Sequence, residues 1–189
     1  MPPGLTVLFV TMTYGAIVSF IALYAGQRGI ENVGPFFTVY AAALFFSRPY
    51  FGRLTDHKGY AVAVIPGILG ICVAMAGLYL AQTLLVFCMA GFVYGLGFGA
   101  VQSALMAKAV RDVPPARRGA ANGTFFMGFD IGIGAGAILW GAIAEITGYQ
   151  TIYLLAIIPA VIAFLIFIGT EFQLFPSQKP PRNEGAGDL

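Results

Sequence analysis

Six apolar runs of about 20 residues, separated by short polar connections, take up most of the chain, and that is the length an α-helix needs to cross about 30 Å of hydrocarbon. They lie near residues 5–26, 34–55, 61–80, 84–109, 119–144 and 151–170. The connections run from Gln27 to Val33, Gly52 to Tyr60, Ala81 to Thr83, Val110 to Arg118 and Glu145 to Gln150. Backbone groups in lipid must bond internally, and the period-2 alternation of a transmembrane barrel is absent. The pattern therefore predicts an all-α membrane domain of six transmembrane helices over residues 1–172. Residues 173–189, with three prolines, read as a disordered cytoplasmic tail.

Composition excludes the soluble classes. Only 10% of residues are charged, against about 25% in a water-facing domain. A net charge of +2 is too small and dispersed for a nucleic-acid groove. Cys72 and Cys88 lie inside apolar runs, where cysteine packs as a small hydrophobe rather than building a disulfide frame.

Six spans put Arg48, Arg53, Lys58, Lys108, Arg111, Arg117, Arg118, Lys179 and Arg182 on one side and Arg28 alone on the other. The positive-inside rule then places both termini in the cytoplasm of a cell-membrane protein. Met1 to Leu8 has no basic stretch, so the first helix itself is expected to target the chain.

Polar side chains are shared unevenly among the spans. The first carries Thr11, Thr13, Tyr14, Ser19 and Tyr24, the second Thr38, Tyr40, Ser47 and Arg48, the fourth Tyr94, Gln102 and Ser103, and the fifth Asn122, Thr124 and Asp130. From Leu154 to Ile168 the sixth has no polar side chain, and the third has only Cys72 and Tyr79. Polar groups are costly in hydrocarbon, so helices 1, 2, 4 and 5 are expected to line a cavity or interface while helices 3 and 6 face lipid. Any single Thr or Ser also fits simple back-bonding to its own helix.

Asp130 stands apart. Eleven residues past Gly119, it sits about 16 Å into its helix, where a carboxylate costs about 2.5 to 3.5 kcal/mol and cannot snorkel. It must face a wet cavity or a partner, or be a neutral acid. A desolvated acid poised to exchange a proton suits a proton-coupled carrier, and a protonated packing lock between helices is the structural alternative. Arg48 either snorkels to headgroups or contacts substrate. The four-residue steps Gly91 to Gly95 and Gly128 to Gly132 to Gly136 place small residues on one face for tight helix crossings.

From Arg48 to Tyr60 the second connection reads RPYFGRLTDHKGY. Gly52 and Gly59 permit a tight reversal, Asp56 can accept from the free N–H groups of a helix start, and basic residues such as Arg53 and Lys58 pin the loop. Gly52, Leu54, Asp56 and Gly59 resemble the cytoplasmic G-x-L-x-D-x-x-G signature of the major facilitator superfamily, although Tyr60 and Ala61 stand where further basic residues are usual. The stretch from Arg117 to Gly136, with Gly148 and Tyr149 after it, is similar to the eleventh helix and following loop in the drug and metabolite exporter-like branch. Arg48-Pro49 is similar to the second-half copy of the signature.

The resemblance implies the C-terminal six-helix half of a twelve-helix transporter, hence a fragment, a split transporter, or a half that pairs with another copy. It implies export of a small molecule by alternating access with a proton as coupling ion; Asp130, Asn122, Gln102, Tyr14 and Tyr40, polar residues of helices 1, 2, 4 and 5, are expected on the pathway. The competing reading is a truncated membrane protein without transport of its own. An enzyme is not expected. The sole His57 is in a loop, the membrane holds one aspartate rather than two, and no metal cluster, phosphate loop or cofactor motif is present.

Overall fold

The structure is a computed structural model that describes residues 2–111 and 113–174. The tail expected from residue 173 therefore lies, from residue 175 onward, outside the described residues. The described residues form helices and turns without strands: α1 (Pro2–Gln27), α2 (Gly34–Lys58), α3 (Ala61–Leu80), α4 (Leu84–Arg111), a 3₁₀ turn (Pro115–Arg117), α5 (Arg118–Thr147), α6 (Tyr149–Leu155) and α7 (Ile157–Leu174).

Two boundaries differ from the sequence pattern. The second connection is far shorter than Gly52 to Tyr60, because α2 continues through Lys58. Gly52 is thus helical, and the reversal belongs to Gly59 alone, at φ 86°, where its N–H caps the Thr55 carbonyl. Positive φ is free of strain for glycine only. The sixth run is broken at Ala156 into α6 and α7. Pro159 supplies the reason, since it has no N–H to offer the Leu155 carbonyl and its ring crowds that group.

By length and hydropathy five stretches of the described residues qualify as membrane spans: Pro3–Gln27, Ala61–Leu80, Leu84–Arg111, Pro115–Thr147 and Tyr149–Glu171. The 25-residue α2 is long enough, but Arg48, Arg53 and Lys58 in its second half lower its hydropathy.

Four helices form a row in the lateral order α2, α4, α1, α5, with α3 packed behind α4 and α7 behind α1. Glycine fixes both outer seams. On α5, Gly128 and Gly136 lie so close to α1 that an added Cβ would come within 2.6 Å of the Gly4 and Met12 carbonyls, and Gly132 meets Leu8 and Thr11 in the same way. On α4, Gly91 and Gly95 press equally on Phe36 and Tyr40 of α2. Both expected four-residue steps therefore make tight crossings. Trp140 closes the α1–α5 seam by donating from Nε1 to the Met12 carbonyl at 2.8 Å.

Each end of the bundle is tied by a cation. Arg28 donates to Gln82 Oε1 at 2.6 Å and Gln150 Oε1 at 2.7 Å, and its guanidinium lies 5.4 Å from the Tyr24 ring centre. Gln150 in turn donates to the Tyr79 carbonyl at 2.8 Å. At the other end Lys108 pairs with Glu171, joining α4 to α7 beside the rings of Tyr60 and Phe167.

Burial does not sort the helices as their polarity does. In the most apolar stretch of α5 only 17% of residues are buried, against 44% in α3 and 56% in α4. The helices left most open are those at the ends of the row, which have a neighbour on one side only, rather than the most apolar pair.

Candidate functional site

The helices of the row converge on an aromatic cluster. Tyr14 of α1 stacks on Phe98 of α4 at 5.1 Å and on Tyr40 of α2 at 5.9 Å. Tyr94 lies 5.6 Å from Phe98 and 6.0 Å from Tyr40, and Phe129 of α5 meets the edge of Phe98 at 6.2 Å. The close α2–α4 seam permits this, because glycines at 91 and 95 let the helices approach while the rings fill the space in front. Tyr94 is fully buried, and its hydroxyl shares a 2.9 Å hydrogen bond with Thr13 of α1. Rings with their hydroxyls at membrane depth give the cluster an apolar face with a few polar handles.

Tyr14 and Tyr40 thus come together as the sequence pattern expects. Gln102, one turn beyond Phe98 on α4, accepts from Arg48 Nη2 of α2 at 2.8 Å. Arg48 is therefore turned onto α4 and held by a neutral dipole.

Asn122 and Asp130 are separate from this group. Asp130 faces outward on α5 and makes no hydrogen bond or ion pair among the described residues, so a packing lock within this chain has no second member there. Asn122 Oδ1 near the start of α5 is buried with no partner, as is the Tyr153 hydroxyl on α6 at the opposite end of the bundle. Each is a polar atom in want of a donor or a water.

Of the loop signature, Arg53 is exposed and Leu54 half-buried on the last turns of α2, Lys58 ends that helix, and Gly59 makes the turn. The side chain of Asp56 lies outside the described residues. The sequence reading missed Phe98 and Phe129 as members of the cluster. Phe98 stacks on Tyr14 and Phe129 meets Phe98, but apolar rings do not stand out in an apolar chain.

Comparison with known proteins completes the description. The family model described as Major Facilitator Superfamily matches residues 3–187. An uncharacterised MFS-type transporter of Burkholderia mallei (strain SAVP1) is 30% identical over 161 residues, covering 85% of this chain and 39% of that protein. A Burkholderia pseudomallei (strain 668) MFS-type transporter matches to the same extent. The multidrug resistance protein MdtG of Dickeya zeae (strain Ech586) is 28% identical over 184 residues, covering 94% of this chain and 44% of that protein. The chain thus spans less than half the length of these relatives.

Proposed function

The chain belongs to the major facilitator superfamily, and from that premise we propose that it is the C-terminal six-helix half of a secondary transporter that exports a small molecule by alternating access, coupled to protons. The observation that carries this is the family match along nearly the whole chain together with its span of under half of its relatives. Alternating access needs two bodies rocking about a central site, so the second six-helix half is a required partner, and the chain alone should move nothing. Export is supported by the name of the Dickeya relative, a multidrug resistance protein. The activity is carriage across a membrane rather than catalysis.

In this reading α2 is the sixth span, since it runs alongside α4 in the same direction and shares its depth. Both termini are cytoplasmic, as the basic residues demand, and reporter fusions at Lys58 and Arg117 should report from inside the cell membrane. Tyr14, Tyr40 and Gln102 line the pathway with the aromatic cluster. Asn122 lies two turns from Asp130 on α5, and Asp130 exchanges the proton. The signature from Gly52 to Gly59 holds the cytoplasmic turn.

Asp130→Asn tests the proposal in a chain assembled with its partner half. The amide is nearly isosteric but cannot release a proton, so expression should persist while proton-driven flux is abolished. Flux with unchanged pH dependence in that variant would remove Asp130 from the coupling mechanism.

A further inference from the structure

Where α5 and α7 both pack on α1 they leave a groove between them, and at its mouth the end of α4 and the start of α5 bring a basic pocket. We propose that these two joined spaces bind one anionic glycerophospholipid of the cytoplasmic leaflet, with an acyl chain in the groove and the phosphate against Arg118 and Lys108. The inference shares only the membrane orientation with the transport reading and uses none of the residues placed on the pathway.

The groove is the first support. Leu5 and Leu8 of α1, Met127 and Ile131 of α5 and Ile166 of α7 make its apolar wall. Leu5, Met127 and Ile131 are 48%, 62% and 52% exposed, so the groove opens outward to the bilayer. Two hydroxyls reach it, and both are used by their own helices. Thr124 Oγ1 donates to the Ala120 carbonyl at 3.0 Å and Thr170 Oγ1 to the Phe167 carbonyl at 2.9 Å. With one O–H each, they leave the wall no side-chain donor for water, and a dry wall of this kind takes hydrocarbon. Seven residues separate Thr124 from Ile131, about 10 Å along the helix, so the groove runs from near the membrane surface inward.

Charge at the mouth is the second support. Gly4 and Thr124 line both spaces, so the groove leads directly into the pocket, whose other walls include Lys108, Val113 and Phe125. At about 250 Å³ the pocket is smaller than the roughly 300 to 1,000 Å³ of sites that enclose a whole small ligand, and it suits a headgroup. Arg118 is exposed at its edge, where Nε donates to the Val113 carbonyl at 3.3 Å, and no carboxylate among the described residues pairs with it. Its other N–H groups keep the fork geometry that phosphate accepts from. Lys108 pairs with Glu171 and has further N–H donors to share. From residue 108 to 118 the chain supplies Lys108, Arg111, Arg117 and Arg118 against Asp112, and α7 adds Glu171. Four cations against two acids complement one phosphate, whereas the ammonium of a zwitterionic headgroup would meet the same positive surplus. A basic pocket between helices at the cytoplasmic side is the arrangement that holds anionic headgroups.

Native mass spectrometry of the full chain in mild detergent tests this, with phosphatidylglycerol and phosphatidylcholine of identical acyl chains as the probes. One phosphatidylglycerol per chain should be retained about tenfold more tightly than phosphatidylcholine. Arg118→Gln, at an exposed position, should weaken phosphatidylglycerol by about fivefold and leave phosphatidylcholine unchanged. Thr124→Trp plugs the junction of the two spaces and should weaken both lipids by about tenfold, the worth of about two buried methylenes. Met127→Trp, farther along the groove, takes its place if that variant does not fold. Equal retention of the two lipids, an Arg118→Gln chain with its preference intact, or a plugged groove that binds as before would overturn the site. Glycerol 3-phosphate should not displace the lipid at equal concentration, and displacement would mean a site for soluble phosphates and overturn the lipid assignment. The readout needs no flux, so failure here leaves the transport reading standing, and loss of transport in an Asp130 variant leaves this site standing.

Discussion

The inner and outer faces of α5 use glycine to opposite ends. Gly132, on the inner face, is buried against Leu8 and Thr11 of α1 with no room for a methyl group, while Gly134, two positions on, has nothing within 4 Å of the place a Cβ would occupy. The inner face is finished as it stands, closed by backbone against backbone and by Trp140 on the Met12 carbonyl. The outer face is open: Asp130 makes no hydrogen bond or ion pair among the described residues, and Ile138 has 78% of its surface bare. A helix can thus be fully committed to one neighbour while its other side is left open.

The widest break of that comparison is Gly132→Val. Overpacking the seam should cost about 3 kcal/mol or more, read as loss of the folded chain in a detergent melting experiment; a variant that melts like the parent would show that the seam is looser than drawn. Next, Trp140→Phe removes one interhelical hydrogen bond and should cost about 0.6 to 1.7 kcal/mol. Arg28→Ala, which releases Gln82 and Gln150 at a wet end of the bundle, should cost about 1 kcal/mol or less, visible as faster proteolysis of the connections there. Gly134→Val should be the mildest, within about 0.5 kcal/mol for the isolated chain, and a large drop in melting temperature would mean that the outer face already packs on something in one copy.

The same contrast explains what could be read from sequence. The helices were legible because hydrocarbon sets their length, and α3 falls on the expected residues 61–80. The seams were legible because glycine steps of four have few other uses. The end of α2 was not, since Gly52 resembles a turn residue, whereas the helix continues through Lys58, with Thr55 buried and back-bonded to the Phe51 carbonyl one turn before it. The break at Ala156 needed Pro159 to be weighed above an unbroken apolar run. At the site, Tyr14, Tyr40 and Gln102 were found because polar groups are rare here. Arg48 was left between two readings because depth is ambiguous until the hydrogen-bond partner is known, and Phe98 and Phe129 were invisible for being apolar among apolar residues.

The parallel run of α1 beside α5 has a consequence for how the chain is made. Gly4 and Gly128 touch, yet the ribosome, at about 5 to 20 residues per second, reaches the second about 6 to 25 s after the first. Through that interval α1 is already in the bilayer with the face that will meet α5 turned to lipid, and α2, α3 and α4 are inserted before its partner exists. Of the two glycine seams of the row, the one between α1 and α5 is therefore the later to form, and a chain stalled before α5 leaves the face of α1 around Gly4, Leu8 and Met12 without the glycines that close on it.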